Sequence, residues 1–322
     1  MTSFRSGLLL LSLTACLANA QYIGTLDRPI GSNSKFENGL FLSWVMKSDD
    51  PSMKQVEIFD MTGRSLADLE VLRPVPDARL VGIYDVSARP GGVIAVAAVY
   101  ASKQQVPPTA ALLLFDFGGR LLSVFALASS RQICRVEVDS QSHIWTITDH
   151  ADRGEDPSTV PVVVEYSAAG EEEKRVLTRN MFPIEARRFE QSSFIGSPSI
   201  GLDSGILWFW LPRSTNLVTI STGDGKYVTV KTGLPPTETE ITPDDVFRLD
   251  SGDLVGQFIE RGKDGTLRSV YYKWSLSTGW WSKFKPSACD GDRLTGVNGK
   301  KQVYTHYRAE SRAADICTYQ LR

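Results

Sequence analysis

The sequence predicts an all-β chain, a six-bladed β-propeller of four-stranded antiparallel blades, and three observations carry that prediction. Six times between Leu40 and the C-terminus the chain repeats a two-part phrase, an apolar run after a turn and then a second run ending in an aromatic or branched residue. The period is roughly 45 to 60 residues, as in propeller blades, and every part of it reads as strand or turn. The last repeat is one strand short, and residues 21–30, QYIGTLDRPI, stand before the first repeat and are expected to supply the missing strand and close the ring.

Taken in order, the first parts begin near Leu40, Val93, Ile144, Leu207, Leu254 and Val303. The second parts end at Phe59, Phe115, Tyr166, Ile220, Trp274 and Tyr319. The fourth repeat shows the grammar in full: SPSIGL alternates, DSG turns, ILWFW runs apolar, LPRSTN turns, LVTI runs again, STGDG turns and KYVTV alternates. Middle strands of a blade are covered on both faces and read continuously apolar, whereas the outermost strand is half exposed and alternates. In the Asp-Ser-Gly turn, Asp closes an Asx-type turn and Gly takes positive φ. The sixth repeat yields DRLTGV, KQVYTHY and DICTYQL, and the first repeat offers only GSNSKFEN for its innermost strand.

The N-terminus reads as an export signal over residues 1–20, followed by one propeller domain over residues 21–322. Arg5 precedes GLLLLSLTA, too short an apolar core to span a bilayer. Two processing sites stand: Ala18-Asn19-Ala20, which would release a chain starting at Gln21, and Leu13-Thr14-Ala15-Cys16, a lipobox in which Cys16 would be lipidated. The expected location is periplasmic or secreted, with the membrane reached only through a lipid on Cys16. Basic residues number 35 against 37 acidic ones, so no basic field exists for a polyanion and nucleic acid is not an expected partner. A monomer is expected. Oxidising surroundings favour a disulfide between Cys289 and Cys317 in the last repeat, with Cys134 free.

The phrases VEIFDMTGRSL and LLLFDFGGRLL, with the D-x-x-G turns before the apolar strands, resemble the six-bladed propellers of the NHL-repeat and gluconolactonase-like superfamily. The resemblance covers residues 37–322. It implies the propeller fold and, for the lactonases, one divalent metal at the inner mouth held by a Glu, two Asn and an Asp. The mature asparagines are Asn33, Asn38, Asn180, Asn216 and Asn298, and no matching Asn–Asp pair is assigned among them.

Propellers place ligands at the channel mouth. The loop TDHADRGEDPSTVP gathers Asp149, His150, Asp152, Glu155 and Asp156, and the crossing RNMFPIEARRFEQSSFIG carries Arg187 and Arg188 beside phenylalanines, a pairing suited to carboxylate or sugar-acid ligands. These are the candidate ligand-binding residues, although an acidic loop is also what a solvated surface produces. The histidines are His143, His150 and His306, with no HExxH spacing, and no G-x-S-x-G elbow is present. Trp208 and Trp210 are expected in the core between blades, and one of Trp280 and Trp281 exposed. No catalytic constellation, cofactor or metal is assigned. The expected function is a non-catalytic binding or scaffolding module for a protein or a small polar ligand. The alternative is a metal-dependent hydrolase or lactonase with its site at the channel mouth.

Overall fold

The computed structural model describes residues 21–26, 33–75, 77–102, 109–126, 132–149, 156, 159–181, 199–212, 214–286, 293–308 and 313–320. Strand β1 (Gln21–Leu26) is followed by β2 (Asn33–Glu37), β3 (Leu40–Trp44), the short β4 (Lys47–Ser48), β5 (Val56–Asp60) and β6 (Ser65–Leu69). Next come β7 (Ala78–Ala88), β8 (Ile94–Ser102), β9 (Thr109–Phe115) and β10 (Leu121–Ala126), then β11 (Gln132–Val138), β12 (Ile144–Asp149), β13 (Pro161–Tyr166) and β14 (Glu172–Thr178). A 3-10 turn, Arg179–Met181, ends that group. The rest are β15 (Ser199–Asp203), β16 (Ile206–Leu211), β17 (Asn216–Ser221), β18 (Tyr227–Lys231), β19 (Glu240–Arg248), β20 (Leu254–Arg261), β21 (Leu267–Trp274), β22 (Trp281–Phe284), β23 (Arg293–Asn298), β24 (Lys301–Arg308) and β25 (Ala313–Gln320).

Three sheets are four-stranded antiparallel meanders, β11 to β14, β15 to β18 and β19 to β22, and a fourth is β10-β9-β8-β7 with β4 added beside β7. The remaining sheet has the order β1-β25-β24-β23-β2-β3-β5-β6. Its two antiparallel halves meet in one parallel bridge, Phe36 opposite Gly296. A Cβ at residue 296 would lie 2.2 Å from the Phe36 carbonyl oxygen, so only glycine permits this approach. The N-terminal strand lies antiparallel on the last one, from Gln21 opposite Thr318 to Leu26 opposite Ala314. The segment GSNSKFEN does form an innermost strand, β2, paired along its length with β3.

Apolar alternation explains the packing. Clusters of buried side chains lie between successive groups of strands: Leu42, Ile58 and Leu69 meet Ile83, Val96 and Leu113; Ala97 and Leu114 meet Val136 and Val164; Trp145 and Val163 meet Leu207 and Phe209; Trp208 and Trp210 meet Phe258 and Trp281. Val255 and Tyr271 then pack on Leu294 and Tyr304, and Val303 and Ile316 pack on Phe36 and Phe59. Face-to-face stacking of four-stranded meanders in chain order is the architecture of a β-propeller. Trp208 and Trp210 are buried, and of the adjacent pair Trp281 is buried while Trp280 is 71% exposed. The D-x-x-G turns close as the sequence implies: Asp60 Oδ1 accepts the Thr62 N–H at 2.8 Å, and Gly63 has φ +86°. Among the described residues no helix is long and apolar enough to cross a membrane. Residues 1–20, which carry both processing sites, lie outside the described residues.

Candidate functional site

The first strand of each group faces the axis. Strand β7 touches β11, β11 touches β15, β15 touches β19, β19 touches β23 and β23 touches β2, while β3 packs on β7. Alternate side chains of a strand share a face, so Lys35 and Glu37 project together from β2, and Arg135 and Glu137 from β11. A first strand leaves one backbone edge unpaired, and side chains of the neighbouring sheet satisfy it. The Glu37 Oε1 accepts the Ala88 N–H at 2.8 Å, Asp85 Oδ2 that of Val136 at 3.0 Å, and Ser87 Oγ that of Val138 at 2.9 Å. Further round, Ser199 Oγ accepts from Val246 N at 3.1 Å and Gln257 Oε1 from Leu294 N at 2.7 Å.

The second carboxylate oxygens of Glu37 and Asp85 turn to a shared cation. The Lys35 ammonium lies 2.9 Å from Glu37 Oε2, 3.3 Å from Asp85 Oδ1 and 3.3 Å from Glu137 Oε1. The Glu137 contact is an aligned hydrogen bond; the Glu37 contact is an ion pair without that alignment. Burial alone would lower the lysine's proton affinity, but Asp85, Glu137 and Glu37 outweigh it and hold Lys35 well above the ordinary lysine range. Burial, reinforced by Glu37, pushes the Glu137 carboxyl well above its usual range despite Lys35. One ammonium thus answers three carboxylates from three sheets.

Cavities flank this cluster, and Lys35 lines both. One, about 220 Å³, is bounded by Glu37, Glu137, Asp203, Trp208, Arg248 and Asn298. The other, about 110 Å³, is bounded by Asn33, Trp44, Tyr84, Asp85, Arg135 and Arg293. Arg293 is anchored by Asp245 at 3.2 Å. The neighbouring Asp244 has its carboxyl raised by burial and by Asp245, against the opposing pull of Arg293. Off the axis, an open cleft of about 700 Å³ is lined by Arg89, Asp139, His143, Glu165, Lys174 and Asp203.

Of the candidate ligand-binding residues of the sequence, Asp149 and Asp156 fall among the described residues. Asp149 ends β12, its backbone opposite Gln132, and its side chain lies outside the described residues. Asp156 is exposed and its carbonyl accepts the Thr159 N–H at 2.9 Å in a turn. His150, Asp152, Glu155, Arg187, Arg188, Cys16 and Cys289 lie outside the described residues; Cys317 is disulfide-bonded. The axial residues escaped sequence reading because Lys35, Asp85 and Glu137 are about fifty residues apart and only the packing of three sheets gathers them. The available signal was the polar residue at alternate positions of each first strand, as in SKFE, YDVS and RVEV. The divalent metal implied by the lactonase resemblance does not fit at this place, since the cation among the converging carboxylates is the chain's own ammonium.

No protein-family model matches the chain, and no curated protein matches it. Among solved structures it is similar to a "putative exported protein" from Bacteroides fragilis, with TM-score 0.55 and 8% identity over 92% of this chain and 91% of that one. It also aligns with the Cps50 (Swd1) β-propeller domain of Myceliophteria thermophila, at TM-score 0.44 and 10% identity over 95% of this chain and 100% of that domain. A luciferin-regenerating enzyme aligns at TM-score 0.45 and 9% identity over 94% and 95%. The first of these likenesses is one of shared fold, and at 8% identity it leaves the chemistry to be read from this chain's own residues.

Proposed function

We propose that this chain is an exported six-bladed β-propeller, its first and sixth blades being the two halves of the eight-stranded sheet and its ring closed by the N-terminal strand, and that it acts by binding a small polar ligand or a protein partner without catalysing a reaction. Six inter-sheet cores in cyclic order and the pairing of β1 with β25 support the closure. The observation that carries the functional reading is Lys35. Carboxylates from three sheets converge at the axis, as a metal-dependent hydrolase would require, but their charge is already answered by an internal ammonium held in its protonated form. An ammonium so held is neither nucleophile nor base. What remains is a rigid rim on which Arg135, Arg293 and Asn33 present polar groups to a small cavity.

The test pairs two assays. Thermal-shift screening against sugar acids and dicarboxylates should give stabilisation that Arg135→Ala or Arg293→Ala removes, and sugar lactones should not be hydrolysed with calcium, magnesium or manganese present. Metal-stimulated lactone turnover that disappears in Glu37→Gln would place catalysis at the axis and overturn the reading.

A further inference from the structure

We propose that Asp139, His143 and Glu165 form a site for a divalent transition-metal ion of the zinc class, in the cleft between the third and fourth groups of strands and apart from the axis. Their ligand atoms all lie within 4.8 Å of one another. His143 Nδ1 is 3.1 Å from Asp139 Oδ2 and 3.5 Å from Glu165 Oε1. Two donors each bonded to a tetrahedral ion at about 2.1 Å stand about 3.4 Å apart, so the spacing already suits one ion held between them.

Asp139 is fixed before any ion arrives. Asp139 Oδ1 accepts the N–H groups of Gln141 at 2.8 Å and His143 at 2.9 Å, which sets the carboxylate plane. Its Oδ2 accepts Trp145 Nε1–H at 3.3 Å and keeps a second lone pair. Glu165 stands on β13 in register with Trp145 on one side and Lys174 on the other. The remaining imidazole nitrogen, Nε2, faces Glu173 Oε2 at 3.7 Å. That is an ion-pair distance and not a hydrogen bond, and a small shift of the exposed Glu173 side chain would place it behind the far nitrogen, as a metal-ligating histidine is oriented.

One nitrogen and two oxygen donors favour zinc or manganese over calcium, which takes six or more oxygens. Three protein donors leave a position open, and it gives onto the cleft where Arg89 and Lys174 stand. An anionic oxygen of a ligand, or a water, completes the set. The rival arrangement is a protonated imidazole bridging the same carboxylates, with no metal.

Protein stripped with chelator and freed of it is titrated with zinc chloride by calorimetry, and cobalt is substituted to read visible absorption. The expected result is one zinc per chain, a raised Tm and a four-coordinate cobalt spectrum. His143→Ala and Glu165→Gln should abolish all three, and Glu173→Gln should weaken zinc by about 10- to 100-fold. Glu37→Gln, which removes an axial carboxylate and leaves Lys35 in place, should bind zinc as wild type does, which separates this site from the axial reading. Absence of stoichiometric zinc binding, or binding that persists unchanged in both Glu165→Gln and His143→Ala, overturns the proposal.

Discussion

Replacing Lys35 with methionine keeps the stem and deletes the charge, leaving Glu37, Asp85 and Glu137 facing one another without a cation. At contact distances of 2.9, 3.3 and 3.3 Å, each ion pair amounts to about 5 to 6 kcal/mol of gross attraction at an effective dielectric constant of about 20. Desolvation of the four groups offsets most of this, at several kcal/mol per ion. The net cost of breaking a buried ionic cluster from one side is about 3 to 5 kcal/mol. For a chain of this size that corresponds to a fall in Tm of roughly 5 to 8 °C. Melting followed by circular dichroism at neutral pH reads it directly. The deficit should shrink on acidification, because protonated carboxylates no longer need the ammonium. A variant melting within a degree of wild type, or a deficit that does not change between pH 4 and pH 7, would refute the assignment of Lys35 as the counter-ion of the axis.

Glu137 supplies a test of opposite sense. Its carboxyl is raised on folding, first by burial, so its stabilising contribution is complete below the unfolded carboxyl's range and is lost as pH climbs through the higher folded value. Glu137→Gln should therefore gain on wild type between pH 5 and pH 8 in urea midpoint, and an unchanged gap would count against it. Gly296→Ala puts a methyl 2.2 Å from the Phe36 carbonyl oxygen and should cost about 1 to 3 kcal/mol by overpacking; a Tm equal to wild type would mean the two halves of the long sheet part easily. For Cys317, which is disulfide-bonded, the expected partner is Cys289, and closing that loop contributes about 3 to 4 kcal/mol in the chain-entropy model. Peptide mapping after thiol blocking should find Cys134 modified in the exported chain, and a Cys134–Cys317 peptide would reassign the bridge.

The strand grammar was legible because it is local. ILWFW and LLLF read as fully covered strands, and β16 and β9 are buried along nearly their whole length. Strand β2 was hard to read for a physical reason: Lys35 and Glu37 occupy the positions that alternation would assign to solvent, yet they face a channel in which solvent is replaced by other side chains. The short β4, which leaves its chain neighbours β3 and β5 to pair with β7 at the edge of the next sheet, left no trace in a two-residue stretch. Sites assembled from one residue per repeat defeat a search for local density. Such a search pointed to Asp149–Asp156, where charges lie close in sequence, and passed over Asp139, His143 and Glu165, whose first member reads as ordinary turn chemistry.

The side-chain acceptors that reach from one sheet to the first strand of the next have a consequence for assembly order. Among the described residues four seams carry such bonds, each with its own set: a glutamate onto Ala88, an aspartate and a serine onto Val136 and Val138, a serine onto Val246, a glutamine onto Leu294. A chain built from repeats of one length risks docking a meander beside the wrong neighbour, since the apolar faces are interchangeable. The four sets differ from one another in the length and number of their acceptors, so one set does not reproduce another's bonds. A meander docked out of turn would bury an unmatched amide or carboxylate and cost about 1 to 3 kcal/mol for each. These polar seams therefore help to number the meanders, and transplanting a meander they join into another position should destabilise the fold unless its seam residues travel with it.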